Sequence, residues 1–312
     1  MKHKKMLTGI IVFIIVMMIG MFLYLYRWNV LHPLKSATLK IEGRDRTFLY
    51  HLPKKITARP RLIILYHGSG INGNIMQIFT GHEFDELSDK EQHTIIAYPN
   101  GFKNNWNGCR KVAPYPAGEM NINDIEFTKQ MIRYFKENYH IDTSEVFAVG
   151  YSNGGEMVMS LARQYPQWFK GFAVIDANLG TPSNDKCENA MHPVSLFYMT
   201  GQQDPIVPYK GGEIFLNGKS FGEVRSSKET LQYWLQKDKF DIQSTIAITQ
   251  SATLSNYATA AGKQISFLDI SDGGHTIPNR NFRIPISKMG NMTKGVDAPA
   301  LIWDFFKGLN QD

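Results

Sequence analysis

Five short apolar runs recur through the middle of the chain, at 61–66 (RLIILY), 94–98 (TIIAY), 145–149 (EVFAV), 171–175 (GFAVI) and 195–199 (SLFYM). Runs this short, apolar at nearly every position rather than at alternate ones, read as strands buried on both faces. Such strands need helices on both sides. The stretches 124–139, 155–165, 227–237 and 299–309, with apolar residues at three- and four-residue spacing, can supply them. Strands alternating with helices predict an α/β fold, a mostly parallel sheet with helices on both faces and its chemistry at the strand C-terminal ends. Ahead of these runs, 38–41 and 47–52 alternate as two short strands joined at Gly43, Arg44 and Asp45, a hairpin-like start.

A chain of 312 residues is long enough for one large domain of this kind, expected over 36–312. The net charge of +6 would suggest a polyanion as partner if it were spread over the fold. Five of the 34 basic residues, however, lie within 1–35, where there is no acid, leaving 29 basic against 28 acidic residues in the remainder. A nearly neutral domain offers no basic stripe, so nucleic acid is not expected as a partner.

The N-terminal charges precede a distinct segment. Lys2, Lys4 and Lys5 stand before an uncharged stretch at 6–26, rich in Ile, Met, Val and Phe, which has the length of a bilayer-spanning helix. Residues 1–35 are therefore expected to be one N-terminal membrane anchor or signal segment with its linker. An uncleaved signal-anchor is favoured, because no small-x-small cleavage site ends the run. The lysines ahead of it leave the N-terminus in the cytoplasm and the bulk of the protein exported, in a periplasmic or extracellular setting. Export permits a disulfide, and Cys109 and Cys187, the only two cysteines, are candidate partners, with two separate buried thiols as the alternative. No set of metal ligands is apparent, and no metal is expected.

The strongest chemical motif is Gly150-Tyr151-Ser152-Asn153-Gly154, a G-x-S-x-G sequence directly between the EVFAV strand and the following helix. A serine at a strand-to-helix elbow needs small flanking residues because the turn is tight, and it sits where helix N–H groups favour developing negative charge. A hydroxyl is a weak nucleophile at neutral pH, so an oriented imidazole must take its proton. His275 lies in Gly273-Gly274-His275-Thr276, a loop after the apparent strand 265–270 and before the C-terminal helix. The acid should follow a late strand, and Asp204 does so, with Asp176 at the end of GFAVI as the competitor. The order Ser152, Asp204, His275 is that of the α/β-hydrolases. For an oxyanion hole, Asn153 supplies the amide after the nucleophile, and Ser69, in the loop His67-Gly68-Ser69-Gly70 after the RLIILY strand, supplies the second. His67 itself reads as a structural residue of that turn.

Together these residues resemble the polyhydroxybutyrate depolymerase and feruloyl esterase family of secreted α/β-hydrolases. The resemblance runs through most of 37–310 and rests on YHGSG at 66–70, PNGFKNNWNGC at 99–109, INDIEF at 122–127, GYSNGGEM at 150–157, GQQDPIVPYKGG at 201–212 and GGHTIP at 273–278. It implies ester hydrolysis through an acyl-enzyme, with Ser152, Asp204 and His275 as triad and no metal or organic cofactor. Gln202-Gln203 stands where the family has small residues, Ile277 where it commonly has Trp, and the region of Cys109 lacks the family's doubled cysteine. No polymer-binding extension is expected beyond residue 312, and a small or oligomeric ester is expected as substrate rather than a solid polyester. Trp106, Tyr151 and Tyr209 are candidates to line the pocket, and each could equally be core. A serine peptidase on the same fold and a catalytically silent hydrolase-fold binding protein are the competing readings. The oligomeric state is not legible here.

Overall fold

The computed structural model of the protein describes residues 34–188, 190–216, 218–283 and 287–309. The apolar segment at 6–26 lies outside them. Among the described residues no helix is long and apolar enough to cross a membrane.

The five apolar runs form β3 (Arg61–Tyr66), β4 (Thr94–Pro99), β5 (Val146–Tyr151), β6 (Gly171–Ile175) and β7 (Leu196–Gly201), and almost every residue in them is buried. They pair in parallel with one another in the order β4, β3, β5, β6, β7, and β12 (Gln264–Ile270) extends the parallel set beyond β7. Antiparallel strands close the two sides. At one, β1 (Lys35–Ile41) and β2 (Arg44–His51) form the expected hairpin, and β2 runs against β4. At the other, β11 (Ala252–Ala258) and β10 (Asp241–Ala247) complete a ten-stranded sheet. A separate hairpin of β8 (Gly212–Leu216) and β9 (Lys219–Val224) follows β7.

The longer helices are α1 (Gly73–Phe79), α2 (Glu83–Glu91), α4 (Asp124–Tyr139), α5 (Asn153–Gln164), α6 (Ser227–Leu235) and α7 (Ala298–Gly308), with a single-turn α3 at Pro116–Glu119. Helix α5 is buried over almost its whole length because it lies against β5, β6 and β3. Inward-facing Phe127, Met131 and Phe135 of α4 meet Phe48 and Tyr50 of β2 in the main core. Burying each such side chain stabilises the fold by roughly 1.5–3 kcal/mol.

Parallel pairing sets every strand end at one edge. Tyr66 pairs with Gly150, Tyr151 with Ile175, Ile175 with Met199, and Ile270 with Gly201. The loops that follow β3, β5, β6, β7 and β12 therefore emerge side by side. A disulfide joins Cys109 to Cys187, 78 residues apart in sequence.

Candidate active site

Ser152 caps α5 with φ 55° and ψ −120°, a conformation that side chains rarely adopt. The glycines on either side explain how the turn is made. A Cβ on Gly150 would lie 2.2 Å from the Gly154 carbonyl oxygen, and one on Gly154 only 2.1 Å from that of Tyr66. The helix thus starts in backbone contact with β3 and β5, and the Ser152 amide donates to the Ile175 carbonyl at 2.9 Å. The hydroxyl is carried to the strand ends at a helix N-terminus, where orphan N–H groups favour negative charge.

His275 and Asp204 meet directly. The imidazole Nδ1 lies 2.6 Å from Asp204 Oδ2, with both side chains buried. Asp204 Oδ1 accepts from the amides of Ile206 at 2.7 Å and Val207 at 2.8 Å, so the carboxylate is held by three hydrogen bonds. With Asp204 as acceptor, Nδ1 carries the proton and Nε2 is left unprotonated, able to accept one. The two loops are locked backbone to backbone, since a Cβ on Gly201 would sit 2.4 Å from the Gly273 carbonyl oxygen. The His275 amide donates to Met289 O at 2.7 Å, and Tyr151, adjacent to Ser152, donates its hydroxyl to the His275 carbonyl at 2.7 Å. Asp176, the competing acid, is not the hydrogen-bond partner of the imidazole. It accepts instead from the Gly201 amide at 3.2 Å.

The loop after β3 reaches the serine from the other side. A Cβ on Gly68 would be 3.3 Å from that of Ser152. His67 is buried, and burial pulls its pKa down to about 4. Its Nε2 accepts from the Gly101 amide at 2.9 Å, which leaves Nδ1 to donate to Gly68 O at 2.7 Å. It is a neutral brace, not a second base. Ser69 Oγ donates to Asn105 Oδ1 at 2.5 Å, and the Gly70 amide donates to Asn104 O at 2.9 Å. Residues 104–106 therefore carry the loop that holds the Ser69 amide.

The Asn153 side chain ties that support to α5, a role its sequence position does not reveal. Asn153 Oδ1 accepts from the Trp106 amide at 2.7 Å, and Nδ2 donates to the Tyr115 hydroxyl at 3.0 Å and the Trp106 carbonyl at 3.2 Å. Tyr115 packs in a cluster with Val207, Ile214 and Phe221, so the hairpin of β8 and β9 connects the Asp204 loop to the same support.

Two of the three aromatic residues considered as pocket lining are core residues. Trp106 is 0% exposed, with its indole N–H committed to His67 O, and Tyr151 is 2% exposed, with its hydroxyl committed to His275 O. Each aromatic body fills the space beneath a loop instead of facing a ligand. Tyr209 is half-buried and donates to Asp269 Oδ2 at 2.9 Å. Ile277, where a Trp was expected from the resemblance, is wholly buried.

Residues 39–239 match the family described as "Esterase: Putative esterase". The chain is 23% identical over 301 residues to "Putative esterase NocK" of Nocardia uniformis subsp. tsuyamanensis, covering 88% of this chain and 85% of that protein. It is 26% identical over 179 residues to "Probable feruloyl esterase C" of Aspergillus oryzae, covering 55% of this chain and 60% of that one. Among solved structures, the acetyl xylan esterase from Aspergillus awamori shares the fold, with a TM-score of 0.60 at 15% identity over 88% of this chain and 99% of that one. Since the family match spans more than half of its length, the chain belongs to the Esterase family of the α/β-hydrolase superfamily.

Proposed function

We propose that this esterase is a serine carboxylic ester hydrolase working through an acyl-enzyme on Ser152. The observation that carries the reading is the 2.6 Å bond from His275 Nδ1 to a buried Asp204, with the imidazole 5.0 Å from the ring of Tyr151, the residue before a serine on a strained elbow. In this mechanism Nε2 of His275 takes the Ser152 proton as Oγ attacks the ester carbonyl, and the Ser69 and Asn153 amides receive the oxyanion. The imidazolium then protonates the leaving alcohol. Water, deprotonated by the same nitrogen, attacks the acyl group, and the imidazolium returns that proton to Ser152 Oγ as its bond to the acyl group breaks.

A feruloyl esterase and an acetyl xylan esterase among the similar proteins support a small or oligomeric ester as substrate, with an acetyl or aromatic acyl group. Export from the cytoplasm belongs to the same proposal, and the Cys109–Cys187 disulfide supports it, since such bonds persist in oxidising compartments. Hydrolysis of p-nitrophenyl acetate and of methyl ferulate by the wild type and by Ser152→Ala tests the reading. Turnover should vanish in the variant, and a variant as active as the wild type would refute Ser152 as nucleophile.

A further inference from the structure

One buried ionisable side chain stands beside the proposed triad without a part in it. Asp176 follows β6, is 1% exposed and takes φ 48°. Left-handed backbone at a non-glycine residue gathers at functional sites. Asp176 Oδ1 accepts from the amide of Gly201 at 3.2 Å, at the end of the strand that leads to Asp204. Its Oδ2 has no hydrogen-bond partner among the described residues. An oxygen of Asp176, an oxygen of Asp204 and a ring nitrogen of His275 all lie within 4.8 Å of one another.

We propose that Asp176 is a reserve acid partner for His275, idle while Asp204 holds the imidazole and able to pair with it when Asp204 is removed. The proposal rests on the reading of His275 as the general base.

Burial, with the Asp204 charge next, pushes the Asp176 carboxyl well above the usual range. The other groups that face it are His275, Tyr151 and Tyr198, and burial keeps both phenols protonated. Two carboxylates this close do not ionise together, but one can. Taking the charge from Asp204 lifts one of the two causes that raise the Asp176 carboxyl. The imidazolium formed during the reaction then favours its ionised form.

A double-mutant cycle on the full chain tests this, with kcat and KM measured on p-nitrophenyl acetate. Asp176→Asn alone should stay within about threefold of the wild-type kcat, because Asp204 still serves the imidazole. Asp204→Asn should lose about a hundredfold, less than the ~10⁴-fold loss found where such an acid has no deputy. Adding Asp176→Asn to Asp204→Asn should then lose about tenfold or more again, with KM little changed. A purely structural Asp176 would lower both backgrounds by one common factor, and that result overturns the proposal, as do equal rates for Asp204→Asn and the double variant. Asp176→Ser, a smaller neutral replacement, takes the place of Asn in the cycle if the Asn variant fails to fold. Ser152→Ala separates the two levels: residual turnover there sinks the serine reading itself, while its loss together with an additive cycle sinks only the role of Asp176.

Discussion

The indole N–H of Trp106 donates to the carbonyl of His67 at 2.9 Å, and this bond ties the loop after β4 to the loop that would supply one oxyanion donor, Ser69. Trp106 is in turn held through its own amide and carbonyl by the Asn153 side chain, whose backbone offers the other proposed donor. Both donors thus depend on a single buried residue between them, Trp106, the one through its indole and the other through its backbone. Oxyanion stabilisation rests on donors fixed in place before the reaction, so a change in this brace should act on turnover more than on substrate binding.

Asn153→Ala removes the acceptor for the Trp106 amide and the donor to the Tyr115 hydroxyl while leaving the Asn153 backbone amide present. A fall in kcat of about tenfold or more is expected, with KM nearly unchanged, because a hole missing one donor altogether loses about 10²–10³. Stability should drop by about 1–3 kcal/mol for the buried groups left unpaired. Asn153→Asp, which keeps the acceptor for the Trp106 amide, should recover part of the turnover. Steady-state kinetics with urea unfolding separates the two effects, and a loss of stability at constant kcat would argue against the brace.

A second cluster makes the fold sensitive to pH away from the triad. Glu83, the first residue of α2, is buried and accepts from the Arg280 amide at 2.5 Å and from Arg280 Nε at 2.9 Å. Arg280 Nε also lies 2.8 Å from Asp297, the cap of α7. Burial first, and the nearby Asp297 carboxyl second, push Glu83 up to about 7 from its ordinary 4.5. Between these values the folded protein keeps a proton that the unfolded chain releases, so this contribution to stability is present at low pH and is lost as pH rises through about 7. Glu83→Gln holds the site neutral. Its Tm should change less than that of the wild type across this window, and parallel Tm profiles for the two proteins would count against the assignment.

Much of this architecture was legible in the sequence because it rests on local constraints. A strand buried on both faces must be apolar throughout, and a helix starting in backbone contact with two strands must have glycine at 150 and 154; both leave marks in the sequence. The β10–β11 pair was not legible, since β10 is mostly exposed, with Ile242 at 61% and Ile246 at 49%, and has neither a buried face nor a continuous apolar run. The hairpin of β8 and β9 escaped for a related reason: only Ile214, Phe221 and Val224 turn inward, against Tyr115, about 100 residues earlier in sequence. Trp106 and Tyr151 were ambiguous because an aromatic residue beside a motif gives no local sign of which way it faces. The Asn153 side chain was invisible because its partner is 47 residues away.

The disulfide offers a third measurement. Cys109 and Cys187 join the loop after β4 to the segment before β7, and closing a loop of this length restricts the unfolded chain enough to stabilise the fold by about 4 kcal/mol in the chain-entropy account. Arg163, which donates to Cys187 O at 2.6 Å and to Asp185 at 2.7 Å, holds the same segment without the bond. Cys109→Ser with Cys187→Ser should therefore remain folded and lose about 2–4 kcal/mol in denaturant unfolding. A double variant as stable as the wild type would show that the polar contacts of Arg163 suffice.

Ser152 itself should be a site where stability is given up for chemistry. At φ 55° and ψ −120° a side chain is strained, whereas glycine adopts this region freely. Ser152→Gly and Ser152→Ala both lack the hydroxyl and should both be inactive, but only glycine relieves the backbone. Glycine is also an acceptable helix cap, so little is lost at the start of α5. The glycine variant should then be more stable than the alanine variant by about 1–2 kcal/mol, the relieved strain less the added freedom of the unfolded chain. Unfolding both in urea under one set of conditions decides it. Equal midpoints would mean that the elbow is not strained and that its geometry follows from Gly150 and Gly154 alone.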